Sequence, residues 1–294
     1  MKKILASPKK MNILRSYNNM SRFTFVFISI LIPLSLWAQE PDYLELVKAE
    51  TRLQGLFNQL YSDSLSDPEP YLDTIRQELT ASLAMQGSMD FPWNGLNRIG
   101  IVTSTDKRIR LFTWHVMDDF DHYRYFGFVQ VANKKGKSRY YELKDNAKPQ
   151  KGVLKLDQSK DDWYGKLYYQ VLTNEYKRNT YYTLLGMDFN NGRSTIKSVE
   201  VMAIQRNSPI FVRSLFFNGR DKVDRLVLEY SDQVAISVRY NEGADMITFD
   251  HLVPFHPIYE NNYEFYGPDG SYDGLEFSGG LWNYRDDIDV RNLD

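Results

Sequence analysis

Closely spaced turn signals constrain the fold of this 294-residue chain more than any other feature of its sequence. From Asn97 onward, runs of about five to ten aromatic and β-branched residues alternate with short segments that are typical of tight turns. These segments lie at 105–107, 118–121, 133–136, 190–192, 218–219, 241–243, 268–270 and 279–280. Asn-Gly and similar pairs provide the positive φ angles that short hairpin loops need. The spacing therefore predicts a mainly antiparallel sheet built from consecutive hairpins.

Two segments of this region indicate how its strands are buried. In residues 234–240, apolar side chains alternate with polar ones, which is typical of an antiparallel strand with one face in the core and one in water. Residues 123–131 carry apolar side chains on both faces. We therefore expect this second strand to lie centrally, with other elements covering both of its faces.

The segment before the β-rich part has a helical pattern. In its first half, apolar side chains recur at three- and four-residue spacing, and the stripe consists of Leu46, Val47, Leu53, Leu56, Phe57 and Leu60. Asp67 and Pro68 suit the N-cap and first position of a second helix, and Gly87 suits its end. Residues 41–86 are therefore predicted to form an antiparallel helical hairpin that packs on the β-rich part at 97–294.

Together these patterns predict an α+β fold that is mainly β. The N-terminal helical hairpin is expected to pack on a large antiparallel sheet that is sandwich-like or strongly curled. No linker rich in Pro, Gly or Ser divides the chain, so residues 39–294 are expected to form a single domain. No regular blade period and no Trp-Asp signature indicates a propeller.

The first 38 residues have the composition of a secretory signal peptide. They carry six basic residues and no acidic one, and an apolar run at 23–36 is followed by Trp37 and Ala38. An uncleaved N-terminal anchor is the alternative interpretation, although the apolar run is short for a membrane span. Cleavage after Ala38 leaves 256 residues with 30 basic and 38 acidic side chains, a net charge of −8. Met1, Met11 and Met20 are all candidate start positions.

Export and charge exclude several classes of protein. The chain has no cysteine, so it has neither disulfide bonds nor the modified cysteine of a lipoprotein. An acidic mature chain is not expected to bind nucleic acid, and no phosphate loop or dinucleotide fingerprint indicates a cofactor. The basic residues at 134–139 are predicted to lie in a solvated turn. We expect a soluble, secreted protein, periplasmic or extracellular, that is not integral to the membrane after cleavage and has an unknown protein or glycan partner.

Two histidines flank an aspartate-rich turn and are candidate metal ligands. A four-residue loop at 118–121 would pair Met117 with His122, so that His115 and His122 lie on one face as diagonal neighbours. Imidazole and the turn carboxylates suit Zn²⁺. The alternative is that the aspartates form the turn and the histidines end the strands, because no known ligand spacing is matched.

Asp269, Ser271 and Asp273 are a second set of candidate metal ligands. With the glycine that follows, they resemble the beginning of a Ca²⁺-binding loop, which needs oxygen ligands at alternate positions. The twelfth position should carry a bidentate acid, but it is Gly280. The favoured interpretation is therefore a turn followed by a strand at 275–277.

Carboxylates near tryptophan form a third pattern. Acid pairs at 118–119, 161–162 and 286–287 lie close in sequence to Trp114, Trp163 and Trp282. Acids for proton transfer and rings for stacking on sugars are what a glycan-cleaving or glycan-binding cleft uses. Acids also cap hairpins and tryptophans also fill cores, so the pattern indicates a function only where folding brings these groups together.

His251 and His256 could serve in acid–base chemistry. Asp250 or Asp273 could orient one of them, and Ser271 is a conceivable nucleophile. No Gly-x-Ser-x-Gly sequence surrounds any serine, so no motif supports a catalytic triad.

Several aromatic and glycine-containing runs are distinctive when taken together. They lie at 125–128, 163–170, 181–186, 249–252 and 266–269. In these runs the chain resembles a family of uncharacterised exported bacterial proteins of about this length. The resemblance covers most of the mature chain and implies export and a single domain, but no activity, cofactor or catalytic residue.

No catalytic pattern in the sequence exceeds background. We therefore expect an exported protein with a non-catalytic binding or envelope-structural role. The alternative is a hydrolase that acts on envelope or extracellular glycans. Aromatic residues are abundant enough to serve both a core and an interface.

Overall fold

The computed structural model describes residues 42–63, 65–118, 122–133, 138–145, 160–161 and 163–289. The predicted signal peptide, Asp119, Asp121 and the lysines at 134–137 lie outside these ranges. Helix α1 is Tyr43–Leu60 and α2 is Glu69–Ala84. The strands are β1 Gly100–Thr103, β2 Ile109–Met117, β3 Tyr123–Ala132, β4 Ser138–Lys144, β5 Leu167–Tyr176, β6 Asn179–Asp188, β7 Ser194–Gln205, β8 Ser208–Phe211, β9 Phe216–Phe217, β10 Lys222–Val223, β11 Arg225–Ser231, β12 Val238–Asn241, β13 Met246–Pro254, β14 Tyr266–Ser278 and β15 Leu281–Arg285.

The helices and sheets are stacked in four layers. The first sheet has the order β1-β2-β3-β4, the second has the order β11-β7-β6-β5 with β8 on β7, and the third has the order β10-β9-β15-β14-β13-β12. The helical pair covers one face of the first sheet, and the second sheet covers the other. The far face of the second sheet packs on the third. The predicted fold class is thus confirmed: the chain is mainly β, with two N-terminal helices and antiparallel sheets, one strongly curled.

The first sheet is covered twice because its central strands are apolar on both sides. Along β2, Phe112 and Trp114 pack on the helices, whereas Ile109 and Leu111 pack towards the second sheet. The neighbouring β3 behaves in the same way, which confirms that residues 123–131 form a central strand with both faces covered.

Each helix buries one apolar stripe against the first sheet. The stripe of α1 is Leu46, Leu53, Phe57 and Leu60, as predicted, whereas Val47 is 36% exposed. Helix α2 begins at Glu69 and its N-cap is Pro68, one residue later than the predicted Asp67. The Asp67 carboxylate still accepts from the Glu69 backbone N–H, at 3.0 Å. Among the described residues, no helix is both long and apolar enough to cross a bilayer.

The segment that leads into β5 fills the space between the first and second sheets. Trp163, Lys166 and Tyr168 are at most 1% exposed there. A Cβ atom on Gly186 of β6 would lie 2.8 Å from Cδ of Lys166, and one on Gly127 of β3 would lie 3.3 Å from the Trp163 ring. Each sheet therefore has a glycine where it meets this segment, and a larger residue would push the layers apart.

Two strands differ from their sequence-based prediction. Residues 234–240 keep the predicted alternation of burial, but the hydrogen-bonded part of β12 covers only Val238–Asn241, at the edge of its sheet. The strand predicted at 275–277 is part of a longer one, because β14 begins at Tyr266. A register shift against β13 absorbs Asp269–Ser271, so these residues are a bulge within a strand rather than a turn before one.

Replacing Gly186 with alanine should destabilise the protein, because the new methyl group would collide with the buried Lys166 and Tyr168 side chains. We expect a loss of about 1–3 kcal/mol in the free energy of unfolding, measured by urea denaturation. Gly55→Ala is the matched control, since nothing lies within 4 Å of its added Cβ and alanine favours the helix. Equal stability of the Gly186→Ala variant and the original protein would contradict this packing.

Candidate functional site

The three tryptophans considered as ligand platforms are all buried. Trp114 and Trp163 are 0% exposed and Trp282 is 1% exposed, and each belongs to a different core cluster. The indole N–H of Trp163 donates to Tyr168 and that of Trp282 donates to Thr183, both at 2.9 Å. Their rings therefore hold layers together and present no face to a ligand in this structure.

Two described acids of the pairs near these tryptophans have partners of their own. The Asp161 carboxylate is paired with Lys160 and Lys144, and Asp118 lies 3.6 Å from the His122 ring. Asp119 and Asp162 lie outside the described residues. Because the three tryptophans are buried, the described part of the chain has no cleft in which one of their rings and a carboxylate face a ligand.

The predicted pairing of His115 and His122 is wrong by one residue. Met117 pairs with Tyr123, and His115 pairs with Tyr125. His122 lies in the turn, where its backbone carbonyl accepts from Asp118 N–H at 2.9 Å, and its side chain is 72% exposed. Because Met117 pairs with Tyr123, His115 and His122 do not have the diagonal arrangement on which a shared metal ion depended.

The Ca²⁺-like pattern has a different use in the folded chain. The Asp269 carboxylate accepts from the N–H and the hydroxyl of Ser271, at 2.9 and 2.7 Å. Asp273 instead bonds to His251. Across the described residues, no group of three or more His, Asp or Glu side chains is arranged to hold a metal ion.

His251 and Asp273 form a histidine–carboxylate pair that is partly exposed to solvent. Nδ1 of His251 lies 2.7 Å from Oδ2 of Asp273, so Asp273 is the orienting acid of the two considered from the sequence. The Tyr284 hydroxyl donates to the same oxygen, and the Asp287 N–H donates to Oδ1 at 3.2 Å. Asp273 is nearly buried and His251 is 40% exposed, which fixes the ring and leaves Nε2 without a partner among the described residues.

This arrangement can exchange a proton, but it lacks a nucleophile. The hydrogen bond to Asp273 raises the pKa of His251, and Asp269 and Asp286 add to the effect. The hydroxyl of Ser271 donates to Asp269 rather than to His251, so the conceivable triad is not formed.

A second polar cluster is buried between the first and second sheets and was not found from the sequence. Nζ of Lys166 lies 3.1 Å from Glu200 and 3.0 Å from the Ser198 hydroxyl. Arg225 approaches the same Glu200 carboxylate at 3.5 Å, and Tyr168 donates to it as well. Because Lys166 has no exposed surface, we interpret this cluster as part of the framework rather than as a site for a substrate.

Burial shifts the pKa values of this cluster. It lowers the pKa of Lys166 to about 8, against the attraction of Glu200. Burial alone would raise the pKa of Glu200, but Lys166 and Arg225 hold it below its ordinary value. No local motif in the sequence distinguishes Lys166 from an exposed lysine, so this cluster could not be predicted.

Asp188 forms a third cluster beside the second one, since Nζ of Lys166 lies 4.7 Å from the centre of the Tyr164 ring. Its carboxylate accepts from the hydroxyls of Tyr125 and Tyr164 and from the N–H of Asn190. The His115 ring lies close by, with its centroid 5.0 Å from that of Phe189, and burial lowers its pKa. These groups are satisfied within the protein, which is typical of a structural polar network.

The connection between β13 and β14 carries an exposed apolar group that we call the aromatic surface. Its members are exposed by between 36% and 77% and comprise Phe255, Ile258, Tyr259, Tyr263 and Phe265. Two short 3₁₀ turns shape the connection, and the Phe255 N–H donates to the Phe265 carbonyl at 2.9 Å. The Tyr259 and Phe265 rings stack at 4.3 Å. The aromatic surface is therefore held in one conformation by its own backbone and ring contacts.

No family model, no curated protein and no solved structure matches this chain.

The buried position of Lys166 predicts an unusual pH dependence. The pKa of Lys166 is about 8 in the folded chain, below its ordinary value of 10.5. Between these two pH values the unfolded chain binds a proton that the folded chain does not, so a fall in pH favours unfolding. The free energy of unfolding of the original protein, compared with that of a Lys166→Met variant, should therefore increase as pH rises from about 8 towards 10.5. Urea denaturation of both proteins across this range measures it, and a constant difference would contradict the assignment.

The His251 pair predicts the opposite trend at lower pH. The pKa of His251 in the folded chain is raised above its ordinary value of 6.5. The stabilisation of the fold by the protonated ring is therefore complete below pH 6.5 and is lost as pH rises through the pKa of the folded chain. His251→Gln should lower stability in acid by less than about 1 kcal/mol, since the pair is partly exposed, and should have little effect in alkali. Thermal melts of both proteins below pH 6.5 and in alkali test this. In an Asp273→Asn background, the pH-dependent difference between His251 and Gln at this position should disappear.

Proposed function

We propose that this chain is exported, loses residues 1–38 and then acts as a non-catalytic binding protein of the cell envelope. The observation that carries the proposal is the aromatic surface. Five large apolar side chains are exposed together on a structured connection, while the tryptophans are placed in the core. Exposing such a group costs stability unless a partner covers it.

A protein partner fits the chemistry of this surface better than a glycan. Phe255 and Ile258 have no polar group to offer a sugar hydroxyl. Glu260, Asn261 and Glu264, which is 3.4 Å from Arg193, lie on the same connection. Exposed apolar side chains next to polar ones are typical of protein interfaces.

The fixed conformation of the connection supports the same conclusion. Ordering a flexible loop on binding opposes association, whereas the stacked rings and 3₁₀ turns of the aromatic surface are already ordered. The partner we propose therefore presents an apolar segment to a preformed surface. The alternative of a glycan hydrolase draws no support from Trp114, Trp163 or Trp282, because their rings are buried.

A photo-crosslinking residue placed at Ile258 should capture the partner in cells, because this side chain is 77% exposed. The same residue at Leu44, an aliphatic side chain that is 65% exposed on α1, is the matched control. The chain that has not crosslinked, recovered from the same envelope fraction, should have the intact mass of residues 39–294, which tests export and cleavage together.

The captured protein must then bind in purified form. Ile258→Asp should weaken its affinity by roughly tenfold or more, as expected for a central interface residue, and Leu44→Asp should not. Equal capture at both positions, or equal affinity of both variants, would contradict the proposed surface. A chain that retains residues 1–38 in the envelope would contradict cleavage.

A further inference from the structure

Hairpin turns from the first two sheets meet at one end of the molecule. The β1–β2 turn contacts the second sheet there, because the Thr105 hydroxyl donates to Thr173 and the Tyr182 hydroxyl donates to Asp106, both at 3.0 Å. The Tyr141 hydroxyl donates to the Asn207 carbonyl in the β7–β8 turn. We call this end the basic pole, because its turns and strand ends carry Lys107, Arg108, Arg139, Lys177, Arg178 and Arg206.

The positive charge of the basic pole is not neutralised within the described part of the chain. None of its six basic side chains forms an ion pair there, although the whole chain has a net charge of −2. Two acids lie among them. The Asp106 carboxylate accepts from the Ser104 hydroxyl, the Arg108 backbone N–H and the Tyr182 hydroxyl, and Glu175 is exposed. An electropositive end on an acidic protein attracts anions.

A groove of about 400 Å³ opens at this end, which is large enough for a small organic ligand. Arg108 and Arg178 line it from different sheets. Three neutral side chains with donor groups also line it: Asn179, Thr180 and Gln205. They make no side-chain hydrogen bond to other described residues, so their donors are available. Tyr181, Ile210 and Val212 provide an apolar part of the lining.

We propose that this groove binds a ligand that carries a phosphate group. Two guanidinium groups and three neutral donors exceed what the two oxygens of one carboxylate can accept, whereas a phosphate monoester has three terminal oxygens and up to two charges. Arginine is the residue best suited to such oxyanions, because its planar donors bind two oxygens at once. The apolar lining would contact the organic part of the ligand.

Isothermal titration of the purified protein with inorganic phosphate and with glycerol phosphate tests the groove. Arg108→Gln and Arg178→Gln should each raise Kd roughly tenfold, because each removes a charge-assisted hydrogen bond. Arg220→Gln is the matched control, since Arg220 is an exposed turn arginine on the third sheet that forms no ion pair with other described residues. Affinity should also fall as NaCl is raised.

Vesicles distinguish a free phosphate ligand from a lipid headgroup. Binding to phosphate or glycerol phosphate in solution supports a free ligand, whereas binding only to vesicles that contain phosphatidic acid, whose phosphate is a monoester, and not to phosphatidylcholine vesicles, supports a headgroup. Both results must be sensitive to Arg108→Gln and Arg178→Gln. Absence of binding to every probe, or equal weakening by Arg220→Gln, would overturn the proposal.

Discussion

Lys166 lies between the first two sheets and has no exposed surface, so its charge needs a partner within the protein. Glu200 provides the opposite charge from β7, and Arg225 lies beside it on β11 as its cross-strand neighbour. This pairing depends on the register of β7 and β11 and on Gly186, which leaves room for the lysine stem. The far face of the second sheet is then free to pack on the third through apolar side chains.

Local chemistry explains why much of the fold could be predicted. Helix stripes, alternation along strands and turn residues are all properties of short segments, and they were sufficient for the helical hairpin and the antiparallel sheets. The division into three sheets could not be predicted in this way. It depends on contacts between distant segments, such as the parallel pairing of Trp282 with Phe216.

The candidate sites show a similar limit. The partnership of His251 with Asp273 could be proposed from residue types, but choosing Asp273 over Asp250 required the register shift between β13 and β14. Trp163 lies next to acidic residues in the sequence, yet its indole is buried beside Tyr168. Adjacent residues of an extended chain point to opposite sides, so closeness in sequence does not bring acid and ring together. The groove at the basic pole depends on three separate hairpins, which no single segment reveals.

The position of β15 has a consequence for how the chain acquires its structure. This last strand inserts between β9 and β14, in the interior of the third sheet, and Trp282 on it reaches Thr183 in the second. A chain that emerges from a ribosome amino end first can assemble its helices and first two sheets before residues 281–285 appear. The third sheet lacks an interior strand until then, so it is completed after the other two.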